Sequence, residues 1–243
     1  PYRKHELSNK IVTAMGNEQS IMSSSPPGFL FRFLTSVLRN SLYPATKTFG
    51  FTISKDWIRE QKTQSIDVPF VSTNDVLVSK FCNTLQCDLA IMAINFRGRI
   101  DGCTDDDVGN YEDLLSYTKD DYVTPSLIRK SVSGPYRRAG NGKMPSNWEH
   151  ATRGTYAAIT NWATFARDIQ VGGVKDAAAR PTKQLIHVPL FDFPKATPAC
   201  TFGSMVMFKP KEGDVAVLIG GKQELIDKIK LSGMVGEPLD MEF

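Results

Sequence analysis

The chain has 243 residues, enough for one large domain or two small ones with a substantial core. Its 41% hydrophobic and 23% charged residues exclude a disordered or fibrous protein. The formal net charge of +3 comes from 29 basic and 26 acidic residues, both dispersed along the sequence, so no nucleic-acid partner is predicted.

The cysteines and the chain start bear on compartment and processing. Cys82, Cys87, Cys103 and Cys200 show no CxxC or Cys/His ligand spacing, which favours free thiols in an intracellular, reducing compartment, with neither disulfide nor structural zinc. No stretch approaches the ~20 apolar residues of a membrane span. The start "PYRKHELSNK" lacks the apolar core of a signal peptide. Because the chain starts at Pro1 without a Met, we expect a processed or truncated chain.

Residues 1–45 form an N-terminal segment that differs in character from the rest. Residues 1–28 are polar and end in "SSSPPG", which is typical of a loop or linker. Residues 29–44 are predicted to be an apolar, basic helix that Pro44 stops. Two interpretations of this helix stay open. It packs on its own chain or on a missing domain, or it lies on a membrane surface or a partner as an interfacial helix.

The next elements alternate between strands and helices. Residues 46–54 alternate as a strand does and lead into a short helix capped by Ser54. Residues 71–85 are predicted to be a helix in which Ser72 and Asp75 form a variant of the capping box. Residues 88–100 are apolar on both faces, which indicates a strand in the interior of a sheet.

The second half continues the mixed pattern. We expect a helix over 124–138 that ends near Gly134-Pro135, a strand over 156–163, and an extended stretch over 184–193. "SMVMFKP" and "VAVLIGG" indicate a hairpin across a turn that Gly213 supplies. An amphipathic helix over 222–233 closes the pattern. Residues 46–243 are therefore predicted to be one α/β domain, with a mixed sheet and helices packed on one side.

Six short motifs occur in an order that resembles a known family. "FGFTISKDWIREQK", "VSTNDVLVSKFCNTL", "AINFRGRI" with "DVGNY", "ITNWA", "FDFP" and "MVMFKPKEGDVAVLIGG" follow one another in sequence. This order is similar to the second half of the BAHD-type, coenzyme-A-dependent acyltransferases and their relatives, the condensation domains. The resemblance covers roughly residues 46–240. It implies the fold of the C-terminal domain of chloramphenicol-acetyltransferase-like proteins.

The resemblance implies structural rather than catalytic roles for several polar residues. In the family, an Arg-x-Arg strand end and a following Gly-Asn are structural, which implies structural roles for Arg97, Arg99, Gly109 and Asn110. An arginine can hold several carbonyl groups at once and so fix a loop to a sheet. Asp192 matches the aspartate of a loop that keeps the family's two halves in register.

The reaction of the family needs a general base and a donor for the oxyanion. There the base is the histidine of a His-x-x-x-Asp motif in the first half of the enzyme. His5, His150 and His187 are the histidines of this chain, and none is followed by Asp at the fourth position. We therefore expect the catalytic half to be absent and these histidines to be structural or exposed.

Two residues of "ITNWA" carry over from the family's catalytic pattern. Thr160 matches the threonine whose hydroxyl faces the tetrahedral intermediate, and Trp162 matches the tryptophan that lines the acceptor pocket. The alternatives are a solvated strand threonine and a core tryptophan. Asn161 stands where the family has a serine, and residues 194–196, Pro-Lys-Ala, stand where it has Gly-Trp-Gly.

The acidic stretch over 101–109 does not predict a metal site. It lacks the alternating spacing and the distal glutamate of an EF-hand loop, which favours a solvated acidic turn. No covalently bound cofactor is predicted, and the resemblance implies an acyl-coenzyme A as co-substrate.

Two functions remain open. The first is the acceptor-side, C-terminal portion of a coenzyme-A-dependent acyltransferase, inactive alone and partnered by a missing N-terminal domain or another subunit. The alternative is a non-catalytic, acyltransferase-derived scaffold or binding subunit of a larger complex, attached to a membrane through residues 29–44.

Overall fold

The structure is a computed structural model that describes residues 4–16, 26–43, 45–64, 67–107, 111–163, 167–170, 182–185, 202–210 and 213–239. Its centre is a seven-stranded mixed sheet of order β3-β2-β4-β7-β8-β1-β9, and β5 pairs with β6 separately. The strands are β1 (Lys47–Ile53), β2 (Leu89–Asn95), β3 (Glu112–Tyr117), β4 (Tyr156–Asn161), β5 (Arg167–Gln170), β6 (Thr182–Leu185), β7 (Phe202–Phe208), β8 (Ala216–Gly221) and β9 (Val235–Pro238). Strands β2, β4 and β7 run parallel to one another, and the other neighbours are antiparallel.

Helices cover both faces of this sheet unequally. The helices are α1 (Lys4–Met15), α2 (Pro27–Leu42), α3 (Lys55–Thr63), α4 (Thr73–Leu85), α5 (Lys119–Tyr122), α6 (Pro125–Val132), α7 (Asn147–Arg153) and α8 (Gln223–Leu231). Most of them contribute to the main core on one face, which confirms the predicted mixed sheet with a helical layer. Among the helices that the structure describes, none has the length and apolar character to cross a bilayer.

Helix α4 organises the main core. Its N-terminus has the predicted capping box, in which the Ser72 side chain accepts from the Asp75 N–H and the Asp75 carboxylate accepts from the Ser72 N–H. Leu77 and Phe81 are fully buried against the sheet. Burial of one such side chain contributes about 1.5–3 kcal/mol, so α4 holds the layer to the strands.

Helices α2 and α7 pack on the opposite face at the β2–β4 side. Phe29 of α2 contacts the Tyr156 ring edge to face, with centroids 5.0 Å apart. A β-carbon at Gly28 would lie 1.9 Å from the carbonyl oxygen of Asn147 in α7, so the two backbones touch and only glycine fits. The predicted helix over 29–44 is thus present, with bounds shifted to 27–42.

The prediction of a loop over residues 1–28 was wrong for α1. Leu7, Ile11 and Met15 are spaced four residues apart and lie on one helix face, which is buried in the main core. The polar residues between them hide this pattern in the sequence. The proposed division at residue 45 stays a prediction, although α1 and α2 both pack on the same sheet as the rest.

Other elements agree in kind and differ in extent. Strand β2 lies between two neighbours as predicted but ends at Asn95, because the chain turns at Gly98, whose φ is +68°. The hairpin of β7 and β8 is present, with Gly213 at a φ of +76°. The extended stretch over 184–193 overlaps β6 and otherwise lies outside the described residues.

The described cysteines Cys82, Cys87 and Cys103 are buried free thiols. Burial raises the pKa of the Cys82 thiol well above its usual value, and its contact with the Cys87 thiol adds to that effect. Cys200 lies outside the described residues. The three thiols therefore act as apolar core groups.

Candidate functional site

The three parallel strands end at one edge of the sheet, and a cleft of about 1160 Å³ opens there. In open α/β sheets, ligands bind outside the carboxyl ends of the parallel strands. The residues at the three ends, Asn95 of β2, Asn161 of β4 and Lys209 after β7, all line this cleft. The topology of the sheet therefore identifies this edge as the candidate site.

The N-terminus of α4 forms another wall of the cleft. Residues 72–75 line it, and the Asn74 side chain accepts a hydrogen bond of 3.1 Å from the Asn161 side-chain amide. Asn161 also accepts a hydrogen bond of 2.9 Å from the Ala163 N–H. These contacts fix the end of β4 to the start of α4, so the cleft has a rigid floor.

The charges around the cleft are mixed but mainly basic. Its charged lining residues are Lys62, Arg97, Arg99, Arg129, Lys209, Asp75, Asp105 and Asp107. Arg129 donates to the Asp75 carboxylate at 2.7 Å from Nε, and that carboxylate is fully buried. Within the described part of the chain, Lys62 and Lys209 form no hydrogen bond or ion pair, so two ammonium groups stay available to an anionic ligand.

Arg97 and Arg99 hold loop carbonyls at the rim of the cleft. Arg97 donates from Nε and Nη2 to the Asp107 carbonyl at 3.2 and 3.0 Å, and its guanidinium lies over the Tyr111 ring. Arg99 donates to the Val132 carbonyl at 2.9 Å. Both arginines thus contact loop carbonyls, and their structural role stays a prediction. Gly109, Asn110 and Asp192 lie outside the described residues.

The acidic turn is less solvated than its sequence predicts. Asp107 is buried, and its carboxylate accepts from the Thr104 N–H at 2.8 Å and from the Thr104 hydroxyl at 3.3 Å. Asp101, Asp105 and Asp106 are exposed. The local Thr-x-x-Asp spacing lets the last aspartate turn inward, because the turn's own N–H groups satisfy it.

Thr160 lies on the other side of β4 from the cleft. Ala157 and Ile159 belong to the main core under the helical layer, and Tyr156 and Ala158 belong to the cluster under α2. Because side chains alternate along a strand, Thr160 shares the face of Tyr156 and Ala158. Its side chain is half-buried there.

Trp162 continues the face of Thr160. Its ring packs against a small cluster that includes Val206, Phe208 and Leu218. The backbone N–H of Trp162 donates to the Met207 carbonyl at 2.8 Å, so the segment after β4 stays in register with β7. Thr160 and Trp162 are thus brought to one face, and Asn161 between them faces the cleft.

The described part of the chain brings no imidazole to Thr160. His150 is buried in α7, where its Nδ1 lies 2.7 Å from the Tyr156 hydroxyl and its ring meets Phe29 edge to face. Tyr156 is four residues from Thr160, about 13 Å along the strand. Burial lowers the pKa of His150, against the raising effect of Glu149 and Asp88. This histidine therefore packs as a neutral core group.

The side chain of His5 and all of His187 lie outside what the structure describes. Asn74 and Lys209 lie in the cleft but were not among the predicted site residues. Their sequence context gives no signal, because only the parallel pairing of β2, β4 and β7 brings them to one edge. Asn161 carried a signal, the unusual residue in the "ITNWA" motif, but the motif alone does not say which face it occupies.

Comparison of the sequence with protein-family models and with curated proteins gave no match. Solved structures do match. TRI101 of F. graminearum complexed with coenzyme A and deoxynivalenol has a TM-score of 0.50 and 16% identity over 78% of this chain and 48% of that chain. TRI101 of F. sporotrichioides complexed with coenzyme A and T-2 gives 0.49 and 16% over 78% and 49%.

Vinorine synthase also matches, with a TM-score of 0.43 and 13% identity over 79% of this chain and 48% of that chain. The chain spans about half the length of these structures. The likeness to the F. graminearum TRI101 structure with a TM-score of 0.50 concerns the fold, and it agrees with the resemblance seen in the sequence motifs. This chain therefore has a BAHD-like acyltransferase fold.

Proposed function

We propose that this chain is the acceptor-side, C-terminal portion of a coenzyme-A-dependent acyltransferase-like protein. The observation that carries the proposal is the cleft at the carboxyl ends of β2, β4 and β7, closed by the N-terminus of α4, on a BAHD-like fold. The reaction would transfer an acyl group from an acyl-coenzyme A to a hydroxyl or amine acceptor.

The cleft suits the coenzyme part of the donor. Coenzyme A carries several phosphate charges, and Lys62 and Lys209 line the cleft with ammonium groups that pair with none of the described residues. The N-terminus of α4 adds a partial positive charge and N–H groups that favour an anion. The cleft is also large enough for an extended ligand.

Thr160 and Trp162 suit the acceptor side. In the resembled enzymes the thioester and the acceptor enter by opposite mouths, and here Asn161 and Thr160 lie on opposite faces of β4. A base removes the acceptor proton, the acceptor attacks the thioester carbonyl, and the Thr160 hydroxyl donates to the oxyanion. Collapse then breaks the C–S bond, and the coenzyme A thiolate takes the proton from the base.

The base would come from the missing N-terminal acyltransferase domain or another subunit. A second candidate function follows if no such partner exists. The chain would then be a non-catalytic scaffold subunit, which is favoured by the distance of His150 from Thr160 and by Pro-Lys-Ala in place of Gly-Trp-Gly. Stoichiometric co-purification with a complex, released by detergent or high salt, supports the scaffold function.

Calorimetric titration of the 243-residue chain with coenzyme A tests the cleft. We expect saturable binding that Lys209→Glu weakens about tenfold or more, because a charge-assisted hydrogen bond contributes about 1.5–3 kcal/mol. Lys130→Glu is the matched control, since Lys130 is exposed and does not line the cleft. Equal losses in both variants, or no binding to the parent chain, would contradict this assignment.

A second set of measurements tests whether this chain binds the donor while the general base is supplied from elsewhere. The chain alone should bind acetyl-coenzyme A without consuming it, because it lacks the base. Thr160→Ala should change the free energy of unfolding by no more than about 0.5 kcal/mol, since a half-buried hydroxyl near the end of β4 is not a core contact. If the chain alone turned over substrate and His187→Ala abolished that turnover, the proposal that the general base lies outside this chain would be refuted. Unfolding of Thr160→Ala would refute the pocket role.

A further inference from the structure

From Leu34 onward, helix α2 has the reverse of an ordinary amphipathic pattern. The residues it buries there are Ser36 and Asn40, and the residues it exposes there include Leu34, Val37, Leu38 and Leu42. A surface helix normally buries its apolar stripe and exposes its polar one. The outer face of α2 therefore has the composition of a second buried face.

The exposed apolar residues form a continuous line. Leu30, Leu34, Leu38 and Leu42 recur every four residues, and between 42% and 65% of each is exposed. Phe31, 59% exposed, widens the line near its start. The helix has 16 residues and is thus about 24 Å long. Single exposed leucines need no explanation, but a contiguous patch marks an interaction surface.

The Thr35 and Ser41 hydroxyl groups on this helix form hydrogen bonds within the helix instead of relying on water. Thr35 donates to the Phe31 and Arg32 carbonyls at 2.9 and 3.0 Å, and Ser41 donates to the Val37 carbonyl at 2.9 Å. A hydroxyl that is already hydrogen-bonded to its own helix costs little to remove from water. Moving the outer face of α2 into an apolar medium therefore has only a small desolvation cost from these hydroxyl groups.

The charge of α2 favours an anionic occupant. The helix contains Arg32 and Arg39 and no acidic residue, and Arg39 is exposed beside the leucine line. Two copies packed through this face would bring like charges together. Tyr43 at the helix end is 74% exposed, and Trp148 of the adjoining α7 is 76% exposed. Both residue types are enriched at the boundary between water and lipid.

We propose that α2 lies in the plane of an anionic lipid surface. The line from Leu30 to Leu42 enters the boundary between headgroups and acyl chains, and Arg39 meets the lipid phosphates. The sheet stays in water, because Ser36 and Asn40 keep the inner side of α2 on the protein. Asn40 accepts from the Thr46 hydroxyl at 3.1 Å, which ties the helix end to the start of β1. This proposal does not depend on acyl transfer.

Co-sedimentation of the 243-residue chain with vesicles tests the proposal. Vesicles of phosphatidylcholine with about 30% phosphatidylserine should bind the chain, and vesicles of phosphatidylcholine alone should bind it about fivefold more weakly, because a basic residue near the surface, here Arg39, contributes about fivefold. Leu34→Ala/Leu38→Ala should weaken binding to the anionic vesicles about tenfold or more. Arg39→Gln should weaken it about fivefold and should leave the weak neutral binding unchanged.

Leu231→Ala is the matched control, because Leu231 is 89% exposed on α8, outside this face. It should bind as the parent chain does. The exposed leucines contribute little to the fold and alanine favours a helix, so the double variant should melt as the parent does. If it does not, Leu42→Ala gives the same comparison at one site.

Several results would overturn the proposal. If the chain does not sediment with anionic vesicles, the proposal is wrong. If it binds neutral and anionic vesicles equally, the predicted preference for an anionic surface is wrong. A dimer by light scattering that Leu34→Ala/Leu38→Ala dissociates would assign the face to a second copy. Protection of α2 from hydrogen exchange only on binding another protein chain would assign the face to that chain.

Discussion

Replacing Arg129 with alanine should lower the free energy of unfolding by about 3–5 kcal/mol. Arg129 is the cationic partner of Asp75; the Arg129 side chain is 16% exposed and that of Asp75 is 0% exposed. Without it the carboxylate keeps only the Ser72 N–H, and its other oxygen already has no hydrogen-bond partner. An unpaired buried charge costs far more than an exposed pair gains. Urea denaturation followed by circular dichroism measures the change.

Arg59 provides the control for this substitution. It pairs with Asp56 at 3.2 Å, but both side chains are more than three quarters exposed, so Arg59→Ala should cost no more than about 0.5 kcal/mol. The double variant Asp75→Asn/Arg129→Met should be less destabilised than Arg129→Ala, because it removes the charge as well as its partner. A loss below about 1 kcal/mol for Arg129→Ala would contradict the buried pair.

Asp121→Ala should destabilise the fold by a similar amount, about 3–5 kcal/mol. Its buried carboxylate accepts from the Thr118 N–H at 2.7 Å, the Thr118 hydroxyl at 2.6 Å and the Gly140 N–H at 2.9 Å. It also pairs with Arg138 at 3.4 Å. Alanine would leave the Thr118 and Gly140 N–H groups without this acceptor, which costs more than the net value of the bonds.

The loss should be visible locally as well as globally. Hydrogen exchange at the Gly140 amide should speed up in Asp121→Ala, since that amide has lost its acceptor. Asp120→Ala is the control, because Asp120 is its exposed neighbour, and we expect a change within about 0.5 kcal/mol. Unchanged exchange at Gly140 together with unchanged stability would show that the carboxylate does not hold this segment.

Local patterns in the sequence predicted local structure well. The Ser72–Asp75 capping box, the Ser54 cap and the turn at Gly213 each depend on residues within a few positions, so the sequence identifies them directly. Helix α1 escaped prediction because its three buried apolar residues are separated by polar ones. Strand β3 and helix α7 were missed because their apolar patterns are short.

The site was harder to predict, because its parts come from distant positions. Asp75 and Arg129 meet across 54 residues, and Asn74 and Asn161 across 87. No periodicity encodes such pairs, because they follow from how the helices pack on the sheet and from the order of its strands. Thr160 and Trp162 were chosen through a resemblance of motifs, and alternation along β4 then explains why Asn161, between them, faces the cleft.

The position of β1 has a consequence for synthesis. This strand pairs on one side with β8, Lys47 opposite Gly221, and on the other with β9, so both neighbours are made last. At ~5–20 residues per second, a ribosome leaves β1 without a partner for roughly ten to thirty-five seconds. Phe49 and Phe51 lie on this strand. The nascent chain therefore exposes an unpaired strand with two aromatic side chains throughout that interval. We expect chaperones to bind the β1 segment during translation.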